Sequence, residues 1–167
     1  MKEYLKYIDT NTPGPRCDVT PVFANPEAYT ALVADLAQPF ADLEINYVAG
    51  IDALGFILGM AVAMHLKKGF LTIRKGGKLP VPVISRNFID YTGFEKTLEL
   101  RTDILATGHR VLLVDEWIET GAQVTAASRL LEDQGAEVIG IATINMDENP
   151  TTRKLRETYF CHTIWFD

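Results

Sequence analysis

The sequence predicts an α/β fold, a mostly parallel, twisted sheet flanked by helices. Short apolar segments alternate along the chain with segments whose apolar residues recur at helical spacing, and this alternation is typical of a parallel sheet with helices on both faces. The segment RVLLV at 110–114 is a continuous apolar run, as expected for a strand buried on both faces. Ligands of such sheets bind beyond the carboxyl ends of the strands, so the residues after 114 are the first candidates for a site.

Cap and turn residues place the individual elements. Asn25 is a favourable N-cap and Pro26 suits the first position of a helix, whereas Gly135 suits a C-cap. Thr92-Gly93 suits a turn between two extended arms. In chain order we predict a helix over 24–43, a strand at 45–50, a helix over 53–68, a strand at 69–80 that runs into a basic turn, two extended arms within 82–101, a strand at 110–114, a helix over 121–135, a strand at 137–146, a short helix near 150–158 and a last strand at 162–166.

Composition favours a single domain over residues 1–167, because 47% of the residues are hydrophobic and the chain is long enough to bury a sizeable core. The net charge of −6 argues against sequence-independent nucleic-acid binding, which needs a basic surface. The longest apolar stretch, at 53–66, is too short to span a bilayer, so no membrane partner is expected.

Cysteine and histidine usage gives further expectations. Cys17 and Cys161 stand far apart without metal spacing, and the N-terminal residues lack the apolar core of a signal peptide, so we expect a cytoplasmic protein with reduced thiols. The three histidines are scattered, and we predict no metal-ligating residues.

The segment DEWIETGAQ at 115–123 has the layout of an anion site, because a strand, a small Thr-Gly loop and a helix start follow one another. Asp115 and Glu116 would repel a phosphate directly, but they could hold the hydroxyls of a sugar, or a metal ion, beside it. The segment therefore favours a sugar phosphate. In the alternative interpretation the acids only favour a helix start. The familiar nucleotide motifs do not fit, since Phe56 follows Gly50-x4-Gly55 where a P-loop needs lysine, and no G-x-G-x-x-G follows a strand.

Four blocks of the chain resemble type I phosphoribosyltransferases, most closely the adenine enzymes, in family order over roughly residues 12–145. They are NTPGPRCDVTPVFANPEAY, VAGIDALGFILGMAVAMHLKKGFLTIRKGGKLP, DYTGFEKTLELRTDILATGHRVLLVDE and VLLVDEWIETGAQVTAA. The resemblance implies the type I fold with a small N-terminal hood. It places the hood and the helix that follows at about 1–35 and a flexible loop at 82–101.

The resemblance also implies a reaction. Phosphoribose would pass from phosphoribosyl diphosphate (PRPP) to adenine with release of pyrophosphate, giving AMP in purine salvage, with Mg²⁺ as cofactor and a homodimer as the assembly. The implied PRPP-binding residues are Asp115, Glu116, Thr120, Gly121, Ala122, Gln123, Asp52, Ala53, Arg74, Lys75 and Lys78, the last three facing pyrophosphate across the dimer interface. The implied base-binding residues are Arg16, Cys17 and Trp117, with Asp18 nearby, and the implied catalytic residues are Asp90 and Glu119.

Several positions depart from the family pattern. Leu54 stands where the family has an arginine that binds pyrophosphate, and Ala122-Gln123 replaces a pair with a hydroxyl donor. Glu119 replaces a small residue; it could accept a proton from the base or form a salt bridge. Trp117 could stack on a purine or pack between helix and sheet.

These departures leave two alternatives to the adenine enzyme open. The same fold could serve as a regulatory protein that binds PRPP or a nucleotide, because the loss of an arginine at Leu54 would weaken catalysis. It could also act on another base such as hypoxanthine or guanine, which Glu119 and Trp117 favour.

Overall fold

Strands and helices alternate along most of the chain in a computed structural model that describes residues 2–13 and 16–165. The strands are β1 (Tyr47–Ile51), β2 (Gly69–Lys75), β3 (Val83–Ile89), β4 (Glu95–Arg101), β5 (Arg110–Ile118), β6 (Glu137–Met146) and β7 (Cys161–Thr163). The α-helices are α1 (Thr20–Phe23), α2 (Pro26–Ala37), α3 (Leu54–Leu66), α4 (Ala122–Asp133) and α5 (Pro150–Thr158), with 3₁₀ turns at Glu3–Tyr7 and Gln38–Phe40.

One seven-stranded sheet has the order β3-β4-β2-β1-β5-β6-β7. β2, β1, β5, β6 and β7 are parallel, whereas β3 and β4 form an antiparallel hairpin that joins the sheet through β2. The predicted fold, a mostly parallel sheet flanked by helices, is confirmed.

Each face of the sheet carries its own apolar core. Alternate side chains of β5 point to opposite faces, so Leu112 and Val114 pack with α2 and α3, while Val111 and Leu113 pack with α4. All four are fully buried, which explains the continuous apolar run in the sequence. Within the described residues no helix is long and apolar enough to cross a membrane.

A backbone contact holds α3 against the sheet. A Cβ atom on Gly50 of β1 would lie 2.3 Å from the carbonyl oxygen of Gly55 in α3, so no larger residue fits. A Cβ on Gly55 would lie 3.0 Å from both Oδ1 of Asp115 and the carbonyl oxygen of Val114. The first turn of α3 therefore touches the ends of both β1 and β5.

Three elements differ from the prediction. β5 continues to Ile118, which pairs with Met146, so Asp115, Glu116 and Trp117 belong to a strand and not to a loop. The predicted helix over 24–43 ends at Ala37, because Pro39 lacks the N–H group that an α-helix would use. β7 is shorter than predicted and ends at Thr163; residue 166 of the predicted strand lies outside the described residues.

The segment at 82–101 forms two extended arms, as predicted. Seven residue pairs join β3 to β4 in unbroken register, from Val83 with Arg101 to Ile89 with Glu95. The inner end of β4 is buried, and Arg86 of β3 forms an ion pair with Asp133 at the end of α4 (2.6 Å). Most of this segment is therefore an integral part of the sheet.

The contact at Gly50 gives a stability prediction. Gly50→Ala should lower the free energy of unfolding by about 1–3 kcal/mol, because its methyl group meets backbone that cannot move aside. Gly69→Ala in β2 is the matched control: its methyl group would meet the ring edge of Tyr47, a partly exposed side chain that can shift, and the carbonyl oxygen of Asn46 would lie 3.9 Å away. Urea denaturation followed by circular dichroism measures both, and an equal or smaller loss for Gly50→Ala would contradict the role of the contact.

Candidate active site

A cavity of about 890 Å³ lies at the carboxyl ends of β1, β2 and β5, where the hairpin and the N-terminal segment close over it. Of the predicted site residues, it is lined by Arg16, Asp52, Ala53, Lys75, Asp90, Asp115, Glu116, Trp117, Glu119, Thr120, Gly121 and Gln123. Residues from five separate parts of the chain thus meet at one place, as expected for a ligand site of an open parallel sheet.

The buried centre of the cavity is the acid pair at the end of β5. Asp115 is only 4% exposed, and its carboxylate accepts hydrogen bonds from the backbone N–H of Glu116 (2.9 Å) and from the side-chain amide of Gln123 (3.3 Å). Burial, reinforced by the neighbouring Glu116, raises the pKa of Asp115 well above its ordinary value. Burial also raises the pKa of Glu116. The pair is therefore suited to a partner that donates hydrogen bonds or carries positive charge.

The turn after β5 leads directly into α4. Gly121, in the left-handed conformation (φ 79°), is the N-cap and provides no side-chain acceptor for the helix N–H groups. The hydroxyl of Thr120 accepts a hydrogen bond from the N–H of Ala122 (3.3 Å). A Cβ on Gly121 would lie 3.1–3.2 Å from side chains of α5, and Asn149 at the start of α5 donates to the carbonyl of Glu119 (2.8 Å). The helix start is thus held in place and faces the cavity.

Arg16 connects three parts of the cavity rim. Its Nε lies 2.7 Å from Oε1 of Glu119, its terminal nitrogen donates to the hydroxyl of Tyr91 (3.1 Å), and its guanidinium lies 4.7 Å from the centre of the Tyr91 ring. Burial raises the pKa of Glu119, and the charge of Arg16 opposes that rise. In this state Glu119 forms the salt bridge that the sequence left as one of two possibilities.

Trp117 packs against the core and also lines the cavity. Its indole N–H donates to Oδ1 of Asp147 (3.2 Å), and its ring lies 6.0 Å from that of Trp165 at a tilt of 55°. The side chain also lines the cavity. A ring held by a hydrogen bond and an aromatic neighbour presents a fixed surface to any base in the cavity.

Asp90 lies at the base of the hairpin turn. It accepts hydrogen bonds from the hydroxyl and the backbone N–H of Thr92, with Lys96 3.9 Å away. Mainly through the Thr92 hydroxyl, these groups lower the pKa of Asp90 below its ordinary value. Asp90 is therefore an anion at neutral pH.

The basic turn after β2 is folded around a buried acid, Glu99 of β4. Glu99 is 4% exposed and accepts hydrogen bonds from the backbone N–H groups of Gly77 (2.8 Å), Lys78 (2.6 Å) and Leu79 (2.5 Å). Burial on its own would raise the pKa of Glu99, but the three N–H groups outweigh it and the pKa is lowered. Glu99 lines the cavity, and the sequence analysis did not identify it.

Four predicted residues do not line the cavity. Arg74 lies beside Asp52, with Nε 3.8 Å from its carboxylate, and Lys78 is exposed on the turn. Ala122 contributes its N–H to the helix start through Thr120. Cys17, predicted to bind a base, is partly buried and packs against the apolar core that includes residues of α2 and α3. An apolar thiol side chain is suited to this position.

Comparison with known proteins identifies the family. The family described as "Phosphoribosyl transferase domain" matches residues 21–166. An adenine phosphoribosyltransferase of Dinoroseobacter shibae is 46% identical over 125 residues, which cover 75% of this chain and 69% of that protein.

Solved structures give the same result for the fold. The adenine phosphoribosyltransferase of Rhodothermus marinus superposes with a TM-score of 0.86 at 35% identity, covering 96% of this chain and 94% of the other. The APRTase of Giardia lamblia complexed with 9-deazaadenine has a TM-score of 0.86 at 29% identity, with the same coverage of both chains.

The ion pair of Arg16 gives a prediction on protonation. Arg16→Gln should raise the pKa of Glu119 further, because a cation that favours the carboxylate form is removed while burial remains. Carbon-13 NMR titration of labelled glutamate carboxyl groups measures it. Lys96→Gln is the control, since Lys96 faces Asp90 and should leave Glu119 unchanged. An unshifted Glu119 in Arg16→Gln would exclude the ion pair in solution.

Proposed function

The chain belongs to the phosphoribosyl transferase domain family, and we propose that it transfers phosphoribose from PRPP to adenine, giving AMP and pyrophosphate in purine salvage. The observation that carries the proposal is that the acid pair of β5 and the N-terminus of α4 share one cavity. One end of that arrangement suits sugar hydroxyls and the other suits a phosphate. Relatives named adenine phosphoribosyltransferase support the choice of reaction.

The proposed sugar site lies between β5 and α4. Asp115 and Glu116 would accept hydrogen bonds from the ribose 2- and 3-hydroxyls, which lowers the cost of holding two buried acids side by side. Residues Thr120–Gln123 would bind the 5-phosphate through backbone N–H groups and the helix dipole. Gln123 would also orient Asp115 through the amide hydrogen bond described above.

Pyrophosphate would lie on the other side of the ribose, at the ends of β1 and β2. Lys75 lines the cavity there, and the backbone of Asp52 and Ala53 forms its floor. Arg74 and Lys78 add positive charge to the same turn. A group of cations at this position stabilises the negative charge that develops on a departing diphosphate.

The residues present also suit Mg²⁺ accompanying PRPP. Mg²⁺ is usually bound through one or two carboxylates together with substrate phosphates, and Asp115 and Glu116 are the carboxylates that could hold it. Because substrate phosphates supply much of its coordination, we expect the ion to enter with PRPP. Bound Mg²⁺ would supply charge neutralisation of the diphosphate.

The proposed base site is bounded by Arg16, Trp117 and Glu119. Trp117 offers a flat surface for stacking, Glu119 accepts hydrogen bonds from an amino group, and Arg16 donates to a ring nitrogen. Asp90 lies on the hairpin nearby, and as an anion it could accept the proton that the purine loses. The Giardia lamblia structure with 9-deazaadenine supports an adenine-like occupant.

Catalysis in this arrangement rests on positioning and charge. The ribose becomes cation-like as the bond to diphosphate breaks, and the nearby carboxylates of Asp115 and Glu116 stabilise that positive charge. The hairpin and the Arg16 contact to Tyr91 lie at the rim of the cavity, where they would limit the access of water that competes with the base.

The specific observation that favours a second candidate, a transferase for hypoxanthine or guanine, is the Arg16–Glu119 pair. An arginine donor and a carboxylate acceptor also complement a 6-oxopurine, whose oxygen accepts where the adenine amino group donates. Adenine remains the first choice because the relatives described above carry that name.

We further propose that the chain acts as one domain in the cytoplasm and assembles as a homodimer through α3. Ile57, Met60 and Met64 lie on one face of this helix and are 44%, 48% and 73% exposed. An exposed apolar stripe on a helix without Asp, Glu, Lys or Arg is suited to a second copy of the same face.

The proposed reaction is tested with purified protein, PRPP, Mg²⁺ and adenine, hypoxanthine or guanine, following pyrophosphate and nucleotide. We expect turnover with adenine to exceed turnover with either oxopurine. Turnover with an oxopurine alone would support the second candidate, and PRPP binding without turnover would support a regulatory protein.

The sugar site is tested in the same assay with Asp115→Asn/Glu116→Gln. This variant keeps the shape of the pair and should lower kcat/KM for PRPP by roughly 100-fold or more, because charge-assisted hydrogen bonds contribute about 1.5–3 kcal/mol each. Glu137→Gln, at the exposed opposite end of β6, is the control. Unchanged kinetics in the double variant would exclude the ribose role of both acids.

The dimer is tested by light scattering. The wild-type protein should have twice the chain mass of 18.6 kDa, and Met60→Asp should reduce it to the single-chain value, because a charge would be buried in an apolar contact. Leu43→Asp, a similar change at a residue 38% exposed elsewhere, should leave the mass unchanged. A monomeric wild-type protein would contradict the proposal.

A further inference from the structure

The turn between β2 and β3 offers three consecutive backbone N–H groups, those of Gly77, Lys78 and Leu79, to one point. Converging backbone donors of this kind form a concave site for an anion. Lys75 precedes the turn and Lys78 lies within it, so the turn has the composition of a phosphate-binding loop. In this chain, however, the carboxylate of Glu99 already occupies the point on which the donors converge.

We propose that Glu99 is a positioning residue: its carboxylate fills the backbone anion site of the basic turn, so that the turn acts on pyrophosphate through its cationic side chains and not through its backbone. The choice of pyrophosphate as the ligand rests on the proposed function. The occupation of the backbone anion site by Glu99 does not depend on it.

The pairing of β2 with β4 places Glu99 next to the basic turn. Glu99 of β4 pairs with Arg74 of β2, the last pair but one before the turn begins. A second contact fixes the turn at its start, because the N–H of Gly76 donates to the carbonyl of Thr97 (2.9 Å) and a Cβ on Gly76 would lie 3.0 Å from the Thr97 side chain. The turn is therefore attached to β4 at both ends.

The environment of Glu99 keeps it charged and in place. A buried carboxylate is costly unless it is hydrogen-bonded and paired, and Glu99 has three N–H donors and the charge of Arg74 nearby. Because both oxygens are engaged, the side chain has little freedom to leave the turn.

Two consequences follow for a diphosphate. The N–H groups that would bind it are taken, and the Glu99 carboxylate in the cavity wall repels an anion that moves toward the turn backbone. The diphosphate would then lie away from the turn backbone, in the part of the cavity that Lys75 lines. Glu99 thus sets the distance between the basic turn and the ribose site.

The test compares Glu99→Ala with the wild-type protein in two measurements. In kinetics, Glu99→Ala should raise KM for PRPP roughly tenfold or more while KM for adenine changes less than about twofold, because the turn that carries Lys75 and Lys78 loses the three hydrogen bonds that hold it in position. Added formate should restore part of the affinity for PRPP, since a small carboxylate can occupy the vacated site. Glu95→Ala, an exposed acid on the same strand, is the control for charge alone.

The second measurement does not depend on activity. Amide hydrogen exchange followed by NMR should show protected N–H groups at Gly77, Lys78 and Leu79 in the wild-type protein, loss of protection in Glu99→Ala, and its recovery in formate. Glu99→Gln, which keeps the size of the side chain, should give an intermediate result and covers the case in which Glu99→Ala does not fold.

The outcomes separate the two proposals. Unprotected amides in the wild-type protein, an unchanged or lowered KM for PRPP in Glu99→Ala, or equal rises in both KM values without formate rescue would each overturn the role of Glu99. Protected amides with formate recovery, in a protein that transfers no phosphoribose, would overturn the proposed function and leave the occupied anion site standing.

Discussion

The contact between Gly50 and Gly55 is the constraint on which the site depends. Because neither residue has a side chain, the first turn of α3 lies directly on the backbone of β1 and against Asp115. The floor of the cavity at Asp52 and Ala53 and its acid wall on β5 are consequently parts of one packed unit. Packed interiors transmit displacement, so a methyl group inserted at this contact would move the two walls apart and not only loosen the helix.

The cavity combines two charge preferences that one kind of ligand satisfies. Burial makes the anionic forms of Asp115 and Glu116 costly, which favours a partner with hydroxyl donors or a cation. A few residues further along the chain, the start of α4, whose N-cap Gly121 offers no side-chain acceptor, favours an anion. A phosphorylated sugar provides both, with hydroxyls on one side and a phosphate on the other. Gln123 links the two regions, because it lies in the first turn of α4 and donates to Asp115.

Local sequence pattern was sufficient to predict the parallel sheet. The apolar run at 110–114 and the helical spacing of apolar residues after it depend only on how each of these segments is buried. Ten of the twelve predicted site residues that line the cavity lie at the ends of β1, β2 and β5, because strand ends of a parallel sheet converge at one edge. Arg16 and Asp90 come from the N-terminal segment and the hairpin, and only the resemblance to the family implied their place in the site. The extension of β5 through Asp115 to Ile118 was missed because acids usually end strands, and here pairing with β6 overrides that preference. Local sequence pattern could not predict the contact of Glu99 with the basic turn or the ion pair of Arg16 with Glu119. Each joins residues that are far apart in the chain, and each depends on strand register or on the overall fold.

The pyrophosphate end shows how such long-range contacts change the interpretation of a motif. Leu54 supplies no charge where the resembling enzymes have an arginine, and the backbone donors of the basic turn are engaged by Glu99. The segment RKGGK holds three cations around two glycines, and the resemblance implies that these cations face pyrophosphate. In the structure the backbone N–H groups of the turn are bound to Glu99, so its remaining means of binding an anion are the side chains of Lys75 and its neighbours. In the proposed reaction, a diphosphate held by lysine ammonium groups would be attracted without being fixed in one geometry, whereas the sugar and its 5-phosphate would meet backbone N–H groups and buried acids. The ribose end would then define the position of the substrate, and the diphosphate end would be free to move away as the bond breaks, which suits a leaving group.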